Sequence, residues 1–212
     1  MTNMDSDATV GRESDTRIRT TTRTVCLTGL TPIMFDRYPG DNSTKLEWHQ
    51  KVYLPHGSDV ISLPSINIIS FLSSHNTNSA PKRLRDKRKY KDIANACLSF
   101  VCPGPVDPAD GDMVPFLRDG KPVRMGIPDA ERDAKSGLFL HRSVARLDKG
   151  IPNPKERAVL PLPWAIRFRL TILPNNEIKE QELKNLFAEG GLAIGLGTFR
   201  GVFGKFSVTE WA

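Results

Sequence analysis

The residues best suited to chemistry lie near the C-terminal end, in the stretch Gly190–Trp211, GGLAIGLGTFRGVFGKFSVTEW. Six glycines (Gly190, Gly191, Gly195, Gly197, Gly201 and Gly204) stand there among bulky side chains, with no proline between them. Glycine takes positive φ without a side-chain clash, and inside a helix or strand it costs roughly 0.5–1 kcal/mol relative to alanine. This density therefore marks a backbone that turns tightly or approaches something closely. Arg200 and Lys205 set cations beside it, and Thr198 adds a hydroxyl. Exposed backbone N–H groups next to cations are how a loop holds phosphate. The competing reading is a glycine-rich turn that packs only against its own helix.

A second cationic feature sits mid-chain. The 212 residues carry a formal charge of +6 and a pI near 9.3. Residues 81–92, PKRLRDKRKYKD, hold Lys82, Arg83, Arg85, Lys87, Arg88, Lys89 and Lys91 against two aspartates, a local +5. Such a concentration suits a polyanion contact, and otherwise a solvated helix face. Aromatic residues near these cations, Trp48, Tyr53 and Phe199, would stack bases if exposed; core packing is the alternative for all three, more so for Phe199 than for Trp48.

Groups for catalysis are few. The four histidines are scattered, and His49 and His56, seven apart in a loop, are the one pair able to serve as acid and base. Asp36 and Asp41 follow the first strand, beside Pro39-Gly40, where aspartate also serves as an ordinary turn former. There is no Gly-Lys-Ser/Thr nucleotide motif. Cys26, Cys97 and Cys102 lack the partners and spacing of a zinc site, so no metal and no cofactor is expected. Unpaired cysteines fit a reducing cytoplasm, and no apolar run approaches the roughly 20 residues that span a bilayer. Residues 1–16 read as a polar, disordered lead-in.

The elements that must position these groups follow from pattern. Thr22–Leu30 reads as a strand with Val25 and Leu27 buried. A loop spans the next residues to about Lys51, and Lys51–Leu54 suggests a short strand. Ser65 caps a helix running through Ser73, with Ile66, Ile69, Phe71 and Leu72 on one face. A second helix is expected from Leu84 to Phe100, basic in its first half and apolar in its second. MVPFLRDGKPVRM is a hairpin turning at Asp119-Gly120, which Pro115 and Pro122 would confine to a sheet edge or a protruding arm. Leu138–Leu147 is a strand, followed by a loop through Asn153-Pro154.

WAIRFRLTIL alternates strictly, placing Ile166, Phe168, Leu170 and Ile172 inside and Arg167 and Arg169 outside. A helix from about Ile178 to Glu189 stops at Gly190-Gly191, and a final strand covers Phe203–Trp211. The order predicts a single α+β, ferredoxin-like (RRM-like) domain over 17–212, with an antiparallel sheet, helices on one face, and insertions at about 38–60 and 103–140. The glycine loop, the open strand face with Arg167 and Arg169, and the basic segment would together form one phosphate track.

Strand 164–173, the helix after it and IGLGTFRGVFGKFSV resemble the C-terminal glycine-rich signature of the RAMP superfamily, the ferredoxin-like RNA-binding proteins of CRISPR systems. LTGLTPIMF and LPSINIISFL are similar to that family's first strand and helix start. The likeness covers about residues 22–36, 61–74 and 160–211. The glycine spacing departs from that of repeat-processing members: six residues separate Gly197 from Gly204, and Gly204-Lys205-Phe206 stands in place of a closing Gly-x-Gly.

The resemblance implies an RNA-binding backbone subunit of CRISPR effector complexes. Ser65, Asn67, Gly195, Gly197, Thr198, Arg200 and Lys205 would then lie along guide RNA, copies of the chain would assemble side by side with other effector subunits, and an inserted thumb-like arm would segment the RNA. It also implies that Asp36 and Asp41, after the first strand, resemble the layout in which some target-cleaving members carry a catalytic aspartate. Two alternatives stay open: an endoribonuclease of the same fold, using Asp36, His49 or His56, and a non-enzymatic interaction or virion-associated protein.

Overall fold

The computed structural model describes residues 20–41, 43–72, 98–101, 106–107, 111–146 and 152–212. In chain order these form β1 (Thr21–Gly29), β2 (Ile33–Phe35), a 3-10 turn (Trp48–Lys51), β3 (Ser62–Pro64), α1 (Ser65–Leu72), β4 (Leu98–Val101), β5 (Val106–Asp107), β6 (Gly111–Arg118) and β7 (Lys121–Pro122). They continue with β8 (Phe139–Arg146), β9 (Pro152–Leu160), β10 (Ala165–Ile172), α2 (Glu180–Ala193) and β11 (Phe206–Trp211). The main sheet runs β11-β1-β10-β6-β3, with β4 also on β10, and every pairing is antiparallel. The last strand beside the first, the first beside the strand before the second helix, and an intermediate strand beyond is the ferredoxin-like order, so the chain is an α+β fold of that kind.

Why these residues make this sheet is clearest at its centre. β10 alternates apolar and charged residues, so period-2 geometry sends Ile166, Phe168, Leu170 and Ile172 to one face, where all are buried. β1 matches it residue for residue, Val25 opposite Phe168 and Leu27 opposite Ile166. Onto that face α1 brings Ile68, Phe71 and Leu72, and α2 brings Leu183, Leu186 and Phe187. Phe71 lies 5.6 Å from Phe187 and 5.4 Å from Phe206, centroid to centroid. Each such side chain contributes about 1.5–3 kcal/mol on burial. Ile66, expected on the inner face of α1, is instead exposed, and Ile68 takes the inner position.

Gly190 and Gly191 do not stop α2; they lie inside it. A Cβ on Gly190 would sit 2.6 Å from Phe71, and one on Gly191 would sit 2.5 Å from the Phe206 carbonyl oxygen. The glycines are there because helix, neighbouring helix and sheet touch backbone to ring. The stop comes at Gly195, in the left-handed conformation (φ 82°), whose N–H donates to Gly190 O.

Other expectations shift. Lys51–Leu54 is not a strand: Trp48–Lys51 forms a 3-10 turn closed by a capping box between Glu47 and Gln50. The expected 84–100 helix falls largely outside the described residues, and Leu98–Phe100 are strand. The Asp119-Gly120 turn forms with both residues at positive φ (51° and 74°), the type I′ signature. Yet β6 is not an edge or an arm. Its two halves pair with different strands, residues 113–115 with β3 and 116–117 with β10, and Pro115 sits at the changeover.

The loop expected at Asn153-Pro154 is β9, which pairs with β8 along 139–146 and, through Ala158–Leu160, with β2. Pro152 and Pro154 share one parity, so both can turn their missing N–H away from β8. β2, β9 and β8 make a second, three-stranded sheet, in which β9 is buried at Ala158–Leu160 and alternates between exposed and half-buried residues from Pro152 to Glu156. The last strand starts at Phe206, later than the expected Phe203.

Candidate nucleic-acid interface

Between α2 and β11 the chain makes a loop in which Gly195, Gly197, Phe199, Gly201 and Gly204 all have positive φ. Close approach explains the glycines: a Cβ on Gly195 would lie 2.6 Å from Gly204 O, and one on Gly197 would lie 2.6 Å from Met34 O. The loop is tied down by its own amides. Leu196 N–H donates to Gly204 O (2.9 Å), Thr198 N–H to Met34 O (2.9 Å), Gly201 N–H to Ile194 O (2.6 Å) and Gly204 N–H to Pro32 O (2.8 Å). Lys205 N–H donates to Thr31 Oγ1 at 2.9 Å. An open cradle of backbone N–H groups is therefore not what these glycines build; any anion contact falls to side chains and the remaining amides.

Arg200 is a bolt. It is half-buried, its Nε donates to Gly197 O (3.2 Å), and its Nη1 donates to Ser70 O (3.4 Å) in the last turn of α1. Burial lowers its pKa from the usual guanidinium value, while the carbonyls at the helix end favour the cation. The bolt holds the loop against α1 and leaves a cleft of about 200 Å³ lined by Met34, Phe35, Asp36, Tyr53, Asn67, Gly197 and Thr198. Asn67 and Thr198 both line it and bring donors and acceptors of both kinds.

Beside the cleft stands a constellation not anticipated from sequence. Arg157, on β9 and only 8% exposed, donates from Nε to Asp36 Oδ2 (2.7 Å) and from Nη1 to Ser143 Oγ (3.3 Å). Its guanidinium carbon lies 5.9 Å from the centre of the Phe199 ring, within cation–π range. Phe199 is 52% exposed and sits at φ 55°, a conformation a bulky residue rarely takes. Trp48, by contrast, is 4% exposed and belongs to the core. The expectation that Phe199 was the better core candidate of the two is reversed: the left-handed turn points its ring outward.

The predicted site residues divide. Ser65 and Asn67 on α1 and Gly195, Gly197, Thr198, Arg200 and Lys205 in or next to the loop share one region. Arg167 and Arg169 do not join it. They lie on the sheet face away from α1 and α2, where Arg167 pairs with Glu210 at 2.7 Å. A single track joining that face to the loop is not formed. Lys82, Arg83, Arg85, Lys87, Arg88 and Lys89 lie outside the described residues.

The candidate catalytic groups are occupied or dispersed. Asp36 is the ion-pair partner of Arg157 and lies 3.9 Å from Lys51 Nζ. His49 is in the 3-10 turn, its ring 5.7 Å from Trp48, and His56 lies in the turn that Ser58 N–H closes onto Pro55 O. Asp41 is a turn former: four hydrogen bonds from Ser43 and Thr44, hydroxyls and amides, hold its carboxyl far below the usual range. Among the described residues no three His, Cys, Asp or Glu side chains group as a metal site would require, and no helix is long and apolar enough to cross a membrane.

Comparison with known proteins finds likenesses among solved structures alone. No family model matches the chain, and no curated protein does. Among solved structures, the chain is similar to a chain in the cryo-EM structure of the Type III-B Cmr-beta bound to cognate target RNA, with a TM-score of 0.45 and 9% identity. The match covers 92% of this chain and 61% of that one, so the chain spans less than two thirds of its neighbour's length.

Proposed function

We propose that this chain is an RNA-binding subunit of a CRISPR effector complex, holding guide RNA by its phosphate chain and assembling side by side with copies of itself and with other subunits. The observation that carries the reading is the cleft between α1 and the glycine loop, flanked by an aromatic ring held outward at positive φ over an anchored arginine. A ring exposed at a conformational cost of about 1–3 kcal/mol is retained where it has work to do. Single-stranded RNA offers what this edge can take: bases to stack on Phe199, and sugar and phosphate groups for Asn67 and Thr198.

Two further features support it. The resemblance read from sequence concerns the same two segments, the helix start at Ser65 and the glycine loop. The most cationic part of the chain, 81–92, also follows α1 closely in sequence. Contacts of this kind bind without reading bases and weaken as salt rises.

The test is purification without nuclease, an absorbance ratio at two wavelengths that separates nucleic acid from protein, and sequencing of what co-purifies. Co-purified RNA of defined length, released by high salt, is the expected result. A chain that carries no nucleic acid and binds no single-stranded RNA at low salt contradicts the reading, and points instead to the interaction-protein alternative.

A further inference from the structure

A second concavity, about 260 Å³, opens between the 36–46 segment and β9, and shares Asp36 with the cleft described above. Its wall holds Arg37, Lys45, Lys51 and Lys155, with Tyr38 and Thr44 between them. Asp36 is the one carboxylate in that lining; it pairs with Arg157 and lies 3.9 Å from Lys51 Nζ. Lys51 Nζ is fixed in place by Glu156 O at 2.6 Å. The opposite side of the pocket is equally firm, because Asp41 clamps the turn carrying Thr44 and Lys45 through four hydrogen bonds of 2.6–2.7 Å. With Lys51 held beside Asp36, Lys45 and Lys155 bring cationic charge to the concavity and lower the free energy of an anion that enters. The exposed Tyr38 ring at the rim suits a base attached to that anion.

We propose that this pocket is a second subsite for the same RNA strand, binding a backbone phosphate of single-stranded RNA that runs past Asp36 from the cleft between α1 and the glycine loop. The inference rests on the RNA-binding reading above and extends it: the strand leaves the glycine loop along the base of the β8–β9 ribbon, not across the open sheet face. Lys45 and Lys155 supply charge, the Arg157–Asp36 pair separates the two subsites, and Phe199 and Tyr38 stand at either side of it.

Binding of fluorescein-labelled single-stranded RNA, followed by anisotropy across a salt series, tests this with three proteins: the unaltered chain, Lys45→Gln/Lys155→Gln, and Phe199→Ala. The lysine variant should bind about tenfold more weakly at low salt, and its slope of log affinity against log salt should be shallower by about 0.7, the loss of one phosphate contact. Phe199→Ala should weaken binding with the slope unchanged, and Lys45→Arg/Lys155→Arg should restore both affinity and slope. If the unaltered chain binds RNA and the lysine variant matches it in affinity and slope, the subsite is refuted while the RNA reading stands; an acidic protein segment as the true occupant would give that outcome. If the unaltered chain does not bind RNA, both fall together.

Discussion

Phe199 shows how a single residue can be expensive to the fold and useful to the site. Its left-handed backbone costs about 1–2 kcal/mol that glycine would not incur, and at 52% exposure its ring recovers little by burial. Phe199→Gly is therefore expected to raise unfolding free energy by about 1 kcal/mol, measured by urea denaturation, while weakening single-stranded RNA binding by about 1–3 kcal/mol. A variant that is less stable, or that binds RNA as well as the parent, would show the ring serving the fold.

Asp36 is argued from its partner. Removing it in Asp36→Ala takes the carboxylate partner from an Arg157 guanidinium that is almost fully buried, which should cost about 3 kcal/mol. A loss under about 1 kcal/mol in the same denaturation measurement would mean that water takes over the pair.

Asp133 sets a pH dependence. Burial alone would raise its pKa, but hydrogen bonds from Ser136 and from the amides of Gly126 and Lys135 outweigh it and leave the group lowered. Its contribution is therefore complete above the ordinary carboxylate range and is lost as pH falls through the depressed folded value. In Asp133→Asn the acid side of the stability–pH curve should flatten, as thermal melts across that range will show. An unchanged acid limb would place the titration elsewhere.

At the scale of elements, α2 carries the sharpest lesson about what a sequence discloses. Two adjacent glycines after a helical run read as a stop, because a stop is the commonest local reason for them. Here the reason is tertiary: Phe71 and Phe206 occupy the space a Cβ would need, and neither is near in sequence. Gly190→Ala and Gly191→Ala should each destabilise by about 1–3 kcal/mol from overpacking, against the gain of up to about 1 kcal/mol that helix propensity alone would give. A stabilised variant by calorimetry would show that the helix has room for the Cβ and contradict the close contacts with Phe71 and Phe206.

Legibility follows the range of the cause. β10 was readable because its alternation is local and strong, and the Asp119-Gly120 hairpin because its turn chemistry is. β9 was hidden by Pro152 and Pro154, which look like loop residues until a neighbour on only one side makes room for them. The cleft was half legible: α1 and the glycine loop could be named, whereas the Arg157–Asp36 pair joins residues 121 apart and leaves no local trace.

For the whole molecule, the central sheet divides the surface in two. One side has the helices, the glycine loop and the ribbon base; the other bears threonines, Cys26, Arg167 and Arg169, with Arg167 already paired to Glu210. Both sides are polar enough to meet RNA, and among the described residues the first combines a cleft, an outward aromatic ring and a pocket of cations. Ultraviolet crosslinking of the protein to its bound RNA, followed by mass spectrometry of the crosslinked peptides, decides between them. The account predicts crosslinks in residues 65–72, 195–205 and 36–46; crosslinks confined to Thr22–Thr28 and Arg167–Thr171 would contradict it.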